Sequence, residues 1–206
     1  MPRLPLSEPE RERVRRRILD AAQDLFDAGG IEAVSMRAIG VRVGLTASAL
    51  YAYFPAKLDL IRALWQGALV ELEHRLRDLS AREPDPMRTL ALLGAAYADF
   101  ALEEPVRFRL LFLTTTDLIG DALGAATESQ AVYHLLRDRV AEAIRQGRLL
   151  ITDADLAAQT VWAAIHGVVS LINTCGDFPF VEPQLLVHTM IQTVLRGMVR
   201  DDTERE

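Results

Sequence analysis

Residues 35–57 read SMRAIGVRVGLTASALYAYFPAK, and the turn in the middle of this stretch decides how the first part of the chain folds. Ser35 precedes an apolar-periodic run over 36–43, and serine is a preferred N-cap, so the pattern predicts a short helix that begins there. Gly44 follows that run and ends the helix, because glycine accepts the left-handed backbone that a tight turn requires.

A second short helix follows this turn. Thr46 is its predicted N-cap, the helix is predicted over 47–53, and Pro55 ends it because proline cannot continue a helix. Two short helices around a glycine turn are typical of a helix-turn-helix, whose second helix places its N-terminal residues on base edges in the major groove of DNA. An ordinary corner between two helices gives the same pattern, so the spacing alone leaves both interpretations open.

The charge of this window favours the nucleic-acid interpretation. Residues 35–57 contain Arg37, Arg42 and Lys57 and no carboxylate, within a chain of 206 residues whose net charge is −6. The overall charge argues against indiscriminate coating of nucleic acid. A local basic face still attracts phosphates, because this attraction is decided within roughly a Debye length, about 10 Å.

The rest of the chain predicts helices almost throughout, since apolar residues recur every three or four positions and no alternating strand pattern of any length occurs. We therefore expect an all-α protein, with an N-terminal three-helix helix-turn-helix domain over 1–58 joined by a long helix to a C-terminal helical bundle over 59–206. The predicted helices outside the turn cover about 14–28, ending at Gly29-Gly30, then 56–79, 87–102, a stretch from 105 that includes 112, 128–146, 155–173 and 183–199, with 114–126 as a loop.

Composition excludes several classes of protein. Half of the residues are apolar (50%) and a quarter are charged (25%), so a sizeable core can form. The charged start lacks the apolar run of a secretory signal, and the apolar run over 161–172 is shorter than a bilayer requires. The single Cys175 fits a reducing compartment. We expect a soluble cytoplasmic protein with no membrane partner.

The sequence offers no enzyme site. The four histidines lie far apart, and no two have the spacing of zinc ligands on one helix. A glycine-rich phosphate loop and a nucleophile elbow are both missing. We therefore expect no catalytic residues, no metal site and no cofactor.

Two C-terminal helices carry more apolar surface than packing against a single core would bury. The helix over 155–173 is apolar nearly all round, which predicts that no side of it faces water, and the last helix is also rich in apolar residues. A large core would explain both, but such helices at the end of a small helical protein favour a symmetric homodimer. The candidate interface residues are Gly167, Leu171, Met190, Val194 and Met198.

The segment 18–60 resembles the DNA-binding domain of TetR-type transcriptional regulators and fits its pattern without a gap. The run tyrosine–any–tyrosine–phenylalanine–proline–any–lysine at 51–57 is its most specific part. Trp162, His166 and Gly167, with the stretch 104–112, resemble a tryptophan–histidine–glycine subgroup of the same family. The other matching residues are Ala21-Ala22, Leu25-Phe26, Gly30, Ser35-Met36-Arg37, Ile39, Gly44-Leu45-Thr46, Leu50 and Leu60.

This resemblance implies a homodimeric regulator that binds double-stranded operator DNA and is released from it by a small-molecule effector. Tyr51 and Tyr53 would touch backbone phosphates, unless one of them packs in the small core. The chain departs from the family pattern at 47–49, where alanine, serine and alanine replace lysine, glycine and threonine, and at Gly40, which replaces alanine. The DNA-binding candidates are Ser35, Arg37, Thr46, Ala47, Ser48, Tyr51, Tyr53 and Lys57.

Evidence for the effector site in the sequence is thinner. A pocket between helices is mostly apolar with few polar groups. His166, on an apolar helix, either meets the ligand or joins two helices structurally. The alternative is a C-terminal half that only dimerises or binds a partner protein. The pocket candidates are Tyr97, Phe100, Phe108, Phe112, Trp162, His166 and Asn173.

The opening helix raises one further alternative. Arg13, Arg15, Arg16 and Arg17 either extend the DNA footprint as a basic arm or form a solvated face.

Overall fold

A computed structural model of the chain describes residues 7–112 and 127–200, and the predicted loop at 114–126 lies outside them. The described part is helical, without a β-strand, which confirms the all-α prediction; a single antiparallel bridge joins Leu149 and Val199. Its helices are α1 (Glu8–Ala33), α2 (Met36–Val43), α3 (Ala47–Tyr51), α4 (Lys57–Arg82), α5 (Pro86–Glu103), α6 (Pro105–Phe112), α7 (Thr127–Arg145), α8 (Ala154–Thr174) and α9 (Pro183–Met198).

The helix boundaries near the turn follow from local capping. Ser35 Oγ accepts a hydrogen bond from the Ala38 amide at 3.2 Å, and Thr46 Oγ1 accepts one from the Ala49 amide at 3.2 Å, which confirms both predicted caps. Gly44 ends α2 with φ 70°, the left-handed conformation expected of it.

Two boundaries differ from the sequence prediction. α3 ends at Tyr51 rather than at residue 53, because the chain tightens there: the Tyr53 amide donates to the carbonyl oxygen of Leu50, three residues earlier, at 2.9 Å. In α1 the backbone leaves helical geometry at Gly29 and Gly30, where φ is −154° and 67°, so the predicted break is present. Helical geometry then resumes as far as Ala33.

α4 connects a small core to a larger one. Ile18, Ile39 and Leu50 are fully buried among α1, α2 and α3, and Leu60 joins them from the first turns of α4. Further along α4, Leu72 is buried in the bundle, where α5 packs against α4, α7, α8 and α9. With 26 residues, α4 is about 39 Å long, so one rigid element runs from the turn region into the bundle.

α8 packs against α5, α7 and α9, and in the single chain it leaves a stripe exposed that includes Leu156, Gly167 and Leu171. The prediction that no side of this helix faces water therefore depends on the predicted dimer partner. By length and composition alone, α8 is also the one helix among residues 7–112 and 127–200 that could span a bilayer, and a third of its most apolar window (33%) is buried inside the bundle. The apolar stripe therefore needs a partner surface or remains in water.

Candidate nucleic-acid interface and internal cavity

The turn between α2 and α3 is fixed by backbone hydrogen bonds. The amides of Gly44 and Leu45 both donate to the carbonyl oxygen of Gly40, the latter at 3.0 Å. Leu50, fully buried, anchors α3 to the core beneath. The outer face of α3 is thereby held at a fixed angle to α2, as a recognition helix requires.

The candidate residues lie on the outside of this unit. Tyr51 is 48% exposed, whereas Tyr53 is half-buried, so the alternative in which one tyrosine packs inward applies to Tyr53. The remaining candidates are all exposed: Ser35, Arg37, Thr46, Ala47, Ser48 and Lys57.

Arginines of α1 support the turn region, which the sequence did not reveal. Arg17 Nη2 donates to the carbonyl oxygen of Val43 at 3.0 Å, at the C-terminal end of α2, where a cation is favourable. Arg11 Nη2 donates to the Ala52 carbonyl at 3.3 Å, and its guanidinium lies 5.8 Å from the centre of the Tyr53 ring.

Arg15 completes this support. Its guanidinium lies 5.0 Å from the centre of the Phe54 ring. One feature of the sequence could have predicted these contacts: Arg11 and Arg15 are four residues apart and therefore lie on one helix face. Arg15 is half-buried and Arg17 is exposed, and both contact the helix-turn-helix; an extension of the DNA footprint by the arginines of α1 stays a prediction.

Lys57 occupies the first position of α4. Its Nζ donates to the carbonyl oxygen of Ile31 at 3.3 Å, and the side chain is exposed. An ammonium group has three donors, so this bond leaves capacity for a phosphate oxygen. The Ala56 amide already donates to Asp59 Oδ2 at 2.9 Å, so that amide is not free for a phosphate, and the phosphate contact predicted for Lys57 rests on its ammonium group.

A cavity of about 270 Å³ lies inside the bundle between α4, α5, α7 and α8, with the end of α6 at its edge. Its wall is almost entirely apolar. Three of the seven predicted pocket residues line it: Tyr97, Phe112 and Trp162. The sequence missed the contributions of the other described residues, which are Leu69, Leu76, Leu93, Gly94, Gln130, Val132, Tyr133, Leu135, Leu136, Val161 and Ile165.

The four remaining pocket candidates lie behind this wall. Phe100 and Phe108 are 3% and 0% exposed and belong to the core. Asn173 Nδ2 donates to the carbonyl oxygens of Ala101 at 3.1 Å and Val169 at 2.9 Å, so it ties α8 to α5.

His166 joins the same two helices. The Tyr97 hydroxyl lies 2.7 Å from His166 Nδ1. Burial raises the pKa of the Tyr97 phenol, so the hydroxyl keeps its proton. Burial also lowers the pKa of His166, which favours the neutral ring. Which of the two groups donates depends on the tautomer of this ring. His166 therefore joins α5 to α8, and a contact between His166 and the ligand stays a prediction.

The predicted dimer residues divide into exposed and buried ones. Gly167 is exposed, with open space where a Cβ would be, and Leu171 is 53% exposed. Met190 and Val194 are half-buried on α9, and Met198, 4% exposed, belongs to the core of its own chain.

No group of three or more His, Cys, Asp or Glu side chains within residues 7–112 and 127–200 is arranged to hold a metal ion.

Comparison with known proteins identifies the family. The model for bacterial regulatory proteins of the tetR family matches residues 18–64, and the model for the tetracyclin repressor-like C-terminal domain matches residues 90–197, more than half of the chain. The chain belongs to the TetR family. These matches leave the tryptophan–histidine–glycine subgroup as a prediction.

Individual relatives agree with this assignment. The chain is 37% identical over 124 residues to the HTH-type transcriptional repressor KstR of Rhodococcus jostii (strain RHA1), an alignment that covers 60% of this chain and only 56% of that repressor. A protein of unknown function from Rhodococcus sp. RHA1 has the same fold, with a TM-score of 0.78 and 22% identity over 97% of this chain and 98% of that one. The regulator FadR from Bacillus subtilis, solved in complex with stearoyl-CoA, also shares the fold, with a TM-score of 0.70 and 18% identity over 88% and 98% of the two chains.

Proposed function

We propose that this chain is a cytoplasmic transcriptional repressor that binds a specific operator as a homodimer and is released from it by a small apolar effector. The observation that carries the proposal is the α2–α3 unit, whose exposed outer residues come from a stretch, 35–57, without a carboxylate and lie above a buried anchor at Leu50. Arg42 of this stretch pairs with Asp24 of α1 at 3.2 Å, which leaves Arg37 and Lys57 as its other basic residues. This surface supplies phosphate contacts from Tyr51 and Lys57 and base-edge contacts from Ala47 and Ser48.

The homodimer follows from the apolar stripe on α8. Leu156, Leu171 and, on α9, Leu185 are 56%, 53% and 58% exposed, and large exposed apolar side chains on two helices that pack together favour a contact with another protein surface. Gly167 lies on the same stripe and allows a close helix approach. Two such chains related by a two-fold axis present two α3 helices to half-sites about one helical turn apart, ~34–36 Å.

Two helices connect the effector cavity with the DNA-binding unit. α4 carries Leu69 and Leu76 in the cavity wall and Lys57 at its other end. α6 carries Phe112 at the cavity edge and packs against α1 near the Gly29-Gly30 break. Trp65 Nε1 donates to the Leu111 carbonyl at 3.4 Å and links the two helices.

Repression is relieved when the ligand favours a different position of α4 and α6. A ligand that pushes α4 and α6 apart from α7 and α8 changes the spacing of the two α3 helices in the dimer. The effect on DNA affinity equals the difference in ligand affinity between the two states, typically 1–3 kcal/mol.

The test is a mobility shift of the purified protein on the intergenic DNA beside its own gene, at two salt concentrations. We expect a sharp shift with dimer stoichiometry that resists unrelated competitor DNA and weakens steeply at the higher salt. Equal competition by unrelated DNA would remove sequence specificity from the proposal. Specific binding that no apolar compound reverses would favour a C-terminal half that only dimerises or binds a partner protein.

A further inference from the structure

The wall of the internal cavity contains no charged side chain among the residues that the structure describes. Its polar groups are confined to Tyr97, Gln130, Tyr133 and Trp162, and the other lining residues are aliphatic, Gly94 or Phe112. A volume of about 270 Å³ is just below the ~300–1,000 Å³ of most ligand sites, which fits a compact molecule.

The hydroxyls at this wall are already paired within the protein. Tyr97 is hydrogen-bonded to His166 Nδ1 at 2.7 Å, and Tyr133 donates to Asp155 Oδ1 at 2.7 Å. Arg137 Nε donates to the same Asp155 oxygen at 2.8 Å. The hydrogen bond from Arg137 lowers the pKa of Asp155, so this carboxylate is ionised and the charge of Arg137 is compensated.

The sequence between the two described parts adds no cation. Residues 110–133, which include all residues of that segment, contain no Lys, Arg or His. His134, the next residue, is neutral at the pH 8 of the test below. A carboxylate that entered the cavity would lose its hydration without a counter-charge, and an unpaired buried charge is strongly unfavourable.

We propose that the cavity selects an uncharged apolar ligand and excludes fatty-acid-like carboxylates of the same size. The inference rests on the proposed function only in taking the occupant of this cavity to be the effector. The aromatic rings of Phe112, Tyr133 and Trp162 contact the ligand through dispersion, and no described side chain offers an ion pair to it.

The experiment compares three ligands with a straight ten-carbon chain at pH 8: decan-1-ol below its solubility limit, and decanoate and decyltrimethylammonium below their critical micelle concentrations. Binding is followed by the fluorescence of Trp162, which lines the cavity, and by calorimetry of the same mixtures. The Trp162→Phe variant leaves only Trp65, which is 1% exposed and does not line the cavity. A fluorescence change that disappears in this variant therefore comes from Trp162 at the cavity and not from a general effect of the ligand.

We expect saturable binding of decan-1-ol that is on the order of a hundred-fold tighter than binding of decanoate, because only the carboxylate leaves a charge unpaired. Decanoate binding as tightly as decan-1-ol, tighter binding of the ammonium, or binding of none of the three would overturn the inference. The Leu136→Lys variant, which adds a cation to the wall, should narrow the gap between alcohol and carboxylate. If the Leu136→Lys variant had a native circular dichroism spectrum and an unchanged difference in affinity between decan-1-ol and decanoate, this result would also count against the inference.

Failure here is distinguishable from failure of the proposed function. Tight binding of decanoate that also releases DNA would overturn the charge selectivity and leave the ligand-released repressor standing. Loss of specific DNA binding in the mobility shift, without any ligand, would overturn the repressor and leave the selectivity of the cavity to be measured by itself.

Discussion

The hydroxyl of Tyr97 on α5 is hydrogen-bonded to Nδ1 of His166 on α8 across 2.7 Å, immediately behind the wall of the internal cavity. His166 is also surrounded by the rings of Phe108, Phe112 and Trp162, with centroids 5.4–5.8 Å away. This environment favours a neutral ring, because a charged imidazole would lose hydration there. The pair therefore makes the packing of α5 on α8 sensitive to protonation.

The first prediction concerns the dependence of stability on pH. Burial lowers the pKa of His166 from its ordinary value of 6.5, so the unfolded chain takes up this proton at a higher pH than the folded one. The contribution of His166 to the free energy of unfolding should therefore be complete above about pH 6.5. The free energy of unfolding should decrease as the pH falls from 6.5 through the lowered pKa of the folded chain. Urea denaturation from pH 7.5 to 5 measures this slope.

The control for this slope is a matched pair of variants. His166→Gln removes the titrating ring and keeps an acceptor for Tyr97, so it should flatten the pH dependence. His74→Gln, at an exposed position of α4, should leave the slope as in the original chain. Equal slopes in both variants would show that His166 does not carry the effect.

The second prediction concerns Gly40. A Cβ at this position would lie 2.7 Å from the carbonyl oxygen of Leu45, a backbone atom that moves only if the turn moves. Alanine is the better helix former by up to about 1 kcal/mol, but the clash acts against it. We expect Gly40→Ala to lower both the melting temperature and the affinity for operator DNA.

Gly67 on α4 provides the control for Gly40, because a Cβ there meets nothing within 4 Å. Gly67→Ala should stabilise the protein by up to about 1 kcal/mol, as expected when only helix propensity changes. If Gly40→Ala gave the same stabilisation, the close approach of Gly40 to Leu45 would be refuted.

The third prediction assigns Lys57 to the DNA backbone. Lys57→Ala should weaken binding to all DNA sequences alike, because one phosphate contact is lost. The slope of the logarithm of DNA affinity against the logarithm of salt concentration should decrease in magnitude by about one unit. Arg82→Ala removes one positive charge from the exposed last turn of the same helix and should leave both quantities unchanged. Loss of affinity at a single base position in the Lys57 variant would contradict a phosphate contact.

The fourth prediction tests the apolar stripe on α8. Leu171→Glu places a charge on the exposed part of this stripe and should convert a dimer into monomers in sedimentation velocity, with a large loss of operator affinity because a monomer reaches one half-site only. Leu92, 42% exposed on α5, offers the matched control Leu92→Glu. A dimer that persisted in the Leu171 variant would place the interface elsewhere.

The parts of the structure that could be predicted are those decided by neighbours in sequence. Ser35 accepts a hydrogen bond from the Ala38 amide, and Thr46 accepts one from the Ala49 amide. Each bond spans three residues, so the caps could be predicted from residue type and spacing alone. The cavity could not be predicted in the same way, because its wall depends on which faces of distant helices meet.

Phe108 and Phe112 illustrate this limit. The two residues lie four positions apart on one face of α6, with ring centroids 5.1 Å from each other. From the sequence, both were predicted to line the pocket. Phe108 is fully buried in the core, whereas Phe112 lines the cavity. The difference is set by α7, whose Tyr133 and Leu136 contribute to the same wall from a position remote in the chain.

The most direct test of the central claim is selection of duplexes from a random DNA pool by the purified full-length protein, followed by sequencing. The account predicts one enriched, two-fold symmetric consensus with half-sites about one helical turn apart, recovered in complexes that contain two chains. Recovery of no consensus would contradict a sequence-specific regulator, and recovery of a single asymmetric half-site bound by one chain would contradict the homodimer.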